Sequence, residues 1–100
     1  MFREVDRIKV KGKNEAIVIY EPIGLESEVD AQTREELRLW DQALSAYRAQ
    51  QWDKAEASLV DLRNRYPGRK LYRRFVRRVA DFRRTPPPEG WGGVTSFDEK

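Results

Sequence analysis

The sequence predicts an α+β fold, a β-hairpin followed by a three-helix segment and an extended tail, and three observations carry that expectation. Residues 5–24, "VDRIKVKGKNEAIVIYEPIG", set an alternating strand and a nearly unbroken apolar strand on either side of a Gly-centred basic turn. From residue 33 onward the apolar period lengthens to three and four, as in amphipathic helices. Pro86, Pro87 and Pro88 then stop the helical pattern.

In the first strand Ile8 and Val10 alternate with Arg7, Lys9 and Lys11, the period of a half-exposed strand, while Ala16–Tyr20 is rich in β-branched residues. Lys11-Gly12-Lys13-Asn14 supplies the backbone freedom a tight reversal needs. The second strand, 16–20, is apolar on both faces, the composition of a strand built for the inside of a larger sheet. A lone hairpin is marginal in water, so the rest of that sheet is expected outside this chain.

Residues 25–32 read as a polar, acidic linker. Thr33 with Glu36 makes a capping-box pattern, and Leu37, Trp40, Leu44 and Tyr47 form an apolar stripe, predicting a first helix over 34–49. Asp53 with Glu56 repeats the box. Ala55, Leu59, Leu62 and Tyr66 continue the stripe until Pro67-Gly68 ends it. Leu71, Phe75, Val79 and Phe82 predict a third helix whose opposite face carries Arg73, Arg74, Arg77 and Arg78. In the tail, residues 85–100, Trp91 and Phe97 are the groups able to dock on a core. Residues 43–67, "ALSAYRAQQWDKAEASLVDLRNRYP", resemble a single tetratricopeptide repeat, on Tyr47, Trp52, Ala55, Leu59 and Pro67. The leading Trp of that pattern is displaced to Trp40, and no second full repeat follows.

Composition narrows the chemistry. The chain has 100 residues, a size that suits one modest core, and eleven percent aromatic content argues against global disorder. It contains neither Cys nor His, which removes thiol nucleophiles, disulfides, the usual zinc ligands and imidazole acid/base catalysis. No apolar run approaches the length of a membrane span. The net charge of +3 is unevenly placed, acidic between Glu21 and Asp41 and strongly basic between Arg63 and Arg84.

"FREVDRIKVKGKNEAIVIYEPIG", residues 2–24, resembles the last two strands of the class III adenylate/guanylate cyclase catalytic domain. The likeness rests on an Arg-x-x-Asp-x-x-x-Val-Lys-Gly-Lys pattern, with Phe2, Arg3, Asp6, Glu15, Tyr20 and Glu21 at matching spacings. The helices resemble, less specifically, the C-terminal extension of bacterial cyclases with a membrane-anchored extracytoplasmic sensor domain. There an Ala-Tyr, a Trp-Asp-x-Ala and a Pro-rich stretch followed by Trp recur.

The resemblance implies that Lys11 contacts the triphosphate of ATP at a dimer interface. Gly12 would shape the turn, and Lys13 would be an outer positive charge. An ammonium on a flexible stem suits that task, and Gly lets the backbone approach a phosphate. From the residues alone, both lysines equally suit a solvated hairpin tip. The family's metal-binding aspartates, purine-selecting residues and transition-state Asn/Arg pair all lie upstream of the matched strands. The chain by itself is therefore expected to bind no cofactor and to be inactive, the C-terminal piece of a cyclase begun at an internal Met or truncated.

The implied complete enzyme converts ATP to cyclic AMP and pyrophosphate with Mg2+ or Mn2+. Its partners would be the remainder of the catalytic domain and a second cyclase subunit in a homodimer, in the cytoplasm, with a parent anchored in the inner membrane. No nucleic acid is expected as a partner. A different class of reading stays open: a non-enzymatic tetratricopeptide-like module whose basic third helix binds a protein or an anionic surface.

Overall fold

A computed structural model describes residues 2–9, 15–88 and 90–96. The α+β fold holds: two strands, β1 (Phe2–Lys9) and β2 (Ile17–Pro22), precede three helices, α1 (Ala31–Arg48), α2 (Trp52–Arg65) and α3 (Lys70–Arg84). A short strand, β3 (Val94–Ser96), follows. β1 and β2 pair antiparallel, with Phe2 opposite Pro22 and Ile8 opposite Ile17, and a bulge at Val5 shifts the register between Glu4 and Asp6.

The tail departs from the expectation of an extended segment. Val94–Ser96 pairs parallel to Arg7–Lys9, so the hairpin becomes a three-stranded sheet in the order β2-β1-β3. Trp91 anchors the tail as predicted, its ring 4.8 Å from Phe82 and 5.0 Å from Tyr47. Phe97 lies outside the described residues. The approach to β3 runs through Gly92 and Gly93, both at positive φ, and a Cβ on Gly93 would fall 2.5 Å from Cγ of Arg48. Only glycine satisfies both demands there.

The helices begin differently from the capping-box reading. Asp30 caps α1, its Oδ1 accepting the Thr33 amide at 2.7 Å, so α1 starts at Ala31 and Glu36 is not in its first turn. Glu36 is instead buried in the helix–sheet junction. No side chain caps α2. Asp53 and Glu56 both engage Arg83 of α3, at 2.6 and 3.3 Å. With α1 beginning at Ala31 and α2 at Trp52, neither Glu36 nor Glu56 stands at the third helical position, from which a capping-box carboxylate reaches back to the cap.

The core lies among the three helices. Trp40, Tyr47, Leu59, Leu62, Phe75 and Val79 are all at most 2% exposed. Tyr72, absent from the predicted stripe, is fully buried as well. Each large side chain so buried contributes about 1.5–3 kcal/mol, and the aromatic rings meet mostly tilted or edge-on, as Trp40 meets Phe75 edge-on at 5.0 Å.

Candidate functional site

The predicted triphosphate-binding residues Lys11, Gly12 and Lys13 lie outside the described residues. What the structure describes is how their two strands are held, and the two are held very differently.

β1 is gripped by the helices. Arg3, 7% exposed, sends Nε to Glu21 at 3.0 Å and Nη1 to the Tyr72 hydroxyl at 2.6 Å. Its guanidinium lies 5.7 Å from the Trp40 ring centroid and 5.4 Å from that of Tyr72. The Tyr72 hydroxyl in turn donates to Glu36, which Arg69 approaches at 3.4 Å. Burial, and then the hydrogen bond to Glu36, push the Tyr72 hydroxyl well above its ordinary value and keep it a donor. Two cations and two carboxylates thus close a neutral, satisfied cluster, which suits anchoring rather than proton transfer.

Further along β1, Asp6 accepts the Arg7 amide at 2.9 Å and pairs with Arg78 of α3 at 3.0 Å. Burial disfavours the charged Arg78 more than any single partner favours it, but the hydrogen bond to Asp6, the charge of that carboxylate and the nearby Tyr47 hydroxyl together leave the guanidinium's pKa raised. Arg78 therefore leaves the basic outer face of α3 on which the helical period had placed it. Glu4 binds Arg48 of α1 at 2.6 Å, and the Arg48 hydrogen bond holds its carboxyl below the ordinary range. The Trp40 indole donates to the Glu4 carbonyl at 2.8 Å, next to the bulge. Arg7 reaches the Gly92 carbonyl at 3.2 Å, tying the tail to the same strand.

β2 has no such support. It bonds to β1 along one edge, and among the described residues its outer edge pairs with nothing. Its side chains are open on both faces: Ile17 is 48% exposed, Val18 38%, Ile19 36% and Tyr20 59%. With Phe2 and Leu25 these are the exposed large hydrophobics among the described residues, all between residues 2 and 25. Isolated apolar groups on a surface are ordinary, whereas a contiguous run on an unpaired strand marks a surface made to be covered.

No protein-family model, curated protein or solved structure matches this chain. Of the signature residues singled out in the sequence, the structure brings Arg3, Asp6 and Glu21 into contacts that fasten strand to strand and strand to helix, while Phe2, Glu15 and Tyr20 stay exposed. Among the described residues no three Asp or Glu groups are close enough to hold a metal ion, and no helix is long and apolar enough to cross a membrane.

Sequence reasoning missed Glu36, Tyr72 and the inward turn of Arg78. A signal for the first existed: Glu36 precedes Trp40 by four and so shares its buried face, where a lone carboxylate requires a buried cation.

Proposed function

We propose that this chain is the C-terminal part of a class III nucleotide cyclase, most simply an adenylate cyclase forming cyclic AMP and pyrophosphate from ATP. The observation that carries the reading is β2: an apolar strand, bare on both faces, with a free hydrogen-bonding edge, lying within the sequence that resembles the family's last two strands. A strand of that composition is stable when flanked and covered, and the remainder of the catalytic domain is the element that would flank it.

In that enzyme β1 delivers the turn with Lys11 to the triphosphate. Gly12 lets the backbone approach, and Lys13 stands outside as a weaker, longer-range charge. Divalent metal, Mg2+ or Mn2+, would be held by carboxylates of the remaining catalytic domain and would activate the attacking ribose hydroxyl. The second subunit completes the site. The helices would hold β1 from behind through Arg3, Asp6 and Glu4, so the turn is offered on a braced strand rather than a loose one.

The test is to produce the chain joined to the polypeptide encoded in frame upstream of Met1, and to assay conversion of ATP with Mg2+ or Mn2+. Cyclic AMP from the joined protein and none from the 100-residue chain alone is the expected result. Failure of the joined protein to make any cyclic nucleotide, or synthesis by the short chain itself, overturns the reading.

A further inference from the structure

The outer face of α3 carries a cationic stripe that, among the described residues, is largely without carboxylate partners. Lys70, Arg73, Arg74, Arg77 and Arg84 are all exposed, and helical spacing gathers them within about a third of the circumference, along roughly 21 Å at 1.5 Å per residue. Asp81 is the one acid among them, and it is paired with Arg84 at 2.7 Å. Six arginines elsewhere are matched to carboxylate: Arg3, Arg48 and Arg78 at the junction, Arg38, Arg65 and Arg83 on the surface. Among the described residues Arg73, Arg74 and Arg77 form no ion pair, and Arg73 reaches only the Pro67 carbonyl at 2.8 Å.

We infer that this stripe docks the protein on an anionic phospholipid surface. Charge is the first reason: four net positive charges lie side by side on one face, and the attraction of a negatively charged bilayer grows with each such cation near it. Shape is the second. α3 buries Tyr72, Phe75 and Val79 and turns Arg78 to the sheet, so the helix is packed against the body along its length and offers one side to a partner. Such a face meets a plane, whereas a duplex groove takes in a helix from both sides. The stripe holds neither an aromatic side chain on which a base could stack nor an amide that could read one. This proposal stands independently of the cyclase reading.

Co-sedimentation of the full chain with phosphatidylserine-containing vesicles, against vesicles of phosphatidylcholine alone, tests it. Binding is expected to the anionic vesicles only and to fall steeply as salt is raised. Each arginine removed should weaken partition about fivefold, so R74A/R77A should lose roughly thirtyfold. Both positions are exposed, and far-UV circular dichroism checks that the fold is kept. Arg65→Ala, whose guanidinium is paired with Asp61 on α2 at 3.0 Å, should bind as the parent does. Any one of four results overturns the proposal: no vesicle binding, equal binding to both vesicle types, which would point to the bare β2 strand instead, an R74A/R77A variant that binds like the parent, or preference for a duplex oligonucleotide over the anionic vesicles.

Discussion

Arg3 of the first strand donates Nη1 to the hydroxyl of Tyr72 on the third helix at 2.6 Å, across 69 positions of sequence. That hydroxyl donates onward to Glu36, so one phenol oxygen joins β1, α1 and α3. Tyr72→Phe removes it and leaves a buried guanidinium and a buried carboxylate each short of a partner. A loss of about 1.5–3 kcal/mol in chemical denaturation is expected. Tyr47 is the internal control: its buried hydroxyl lies near Arg78 and Thr95 but makes no well-formed hydrogen bond, so Tyr47→Phe should cost clearly less than Tyr72→Phe. Equal costs for the two substitutions would mean that the Arg3–Tyr72–Glu36 chain contributes nothing to holding the strand.

The turn between α1 and α2 offers a stabilising change. The Gln51 amide bonds the Ala46 carbonyl at 2.9 Å and the Gln50 amide bonds that of Tyr47 at 3.1 Å, the paired bonds of a Schellman ending. The residue at its left-handed position is Gln50, φ 58°, where glycine is ordinarily found. Gln50→Gly should raise stability by about 0.5–1 kcal/mol despite losing an exposed bond to the Pro88 carbonyl. Thermal unfolding of the two proteins side by side checks it, with a midpoint rise of several degrees expected.

Acid should loosen the grip on β1 through Glu4. Its carboxyl is held below the ordinary 4.5 chiefly by the Arg48 hydrogen bond, so over the window just below that value the unfolded chain binds more protons than the folded one. The stabilisation is therefore fully present above pH 4.5 and is lost as pH falls through the folded-state value. Glu4→Gln should cost on the order of 1 kcal/mol at neutral pH, and the difference between parent and variant should shrink in acid. A difference independent of pH from neutrality downward would remove the Glu4–Arg48 pair from the account.

On the proposed cyclase reading, Lys11 and Lys13 should separate when the chain is joined to the rest of the catalytic domain. Lys11→Ala should lower kcat/KM by ten- to a hundredfold, about 1.5–3 kcal/mol of charge-assisted contact to triphosphate, with the fold intact. Lys13→Ala should cost far less. Since the site would be shared between subunits, a Lys11 variant mixed with a variant lacking the metal-binding aspartates should regain part of the activity. Near-parental rates for both lysine variants would return the turn to a solvated hairpin tip.

What the sequence by itself determined is local. Alternation marked β1, a β-branched apolar run marked β2, the change to helical spacing marked three helices, and Pro67-Gly68 and Pro86–Pro88 ended two of them, because period and breaker residues act over a few positions. The bareness of β2 was also legible, since a strand apolar on both faces cannot be covered by one helical layer on one side.

Tertiary structure decided what those local patterns were used for. Glu36, Asp53 and Glu56 sit at cap-like spacings, yet folding presents Glu36 with Tyr72 and Arg3, and Asp53 and Glu56 with Arg83, partners far away in the chain. Arg78 matches its neighbours in sequence, but Asp6 waits on the strand it faces. The same holds for the tail: nothing local tells Val94–Ser96 to be a strand, and it becomes one because Trp91 lands among Tyr47, Trp52 and Phe82 and leaves it beside the free edge of β1. A charge or a short apolar run is committed by whichever partner the fold brings near, and desolvation at the junction makes that partner decisive.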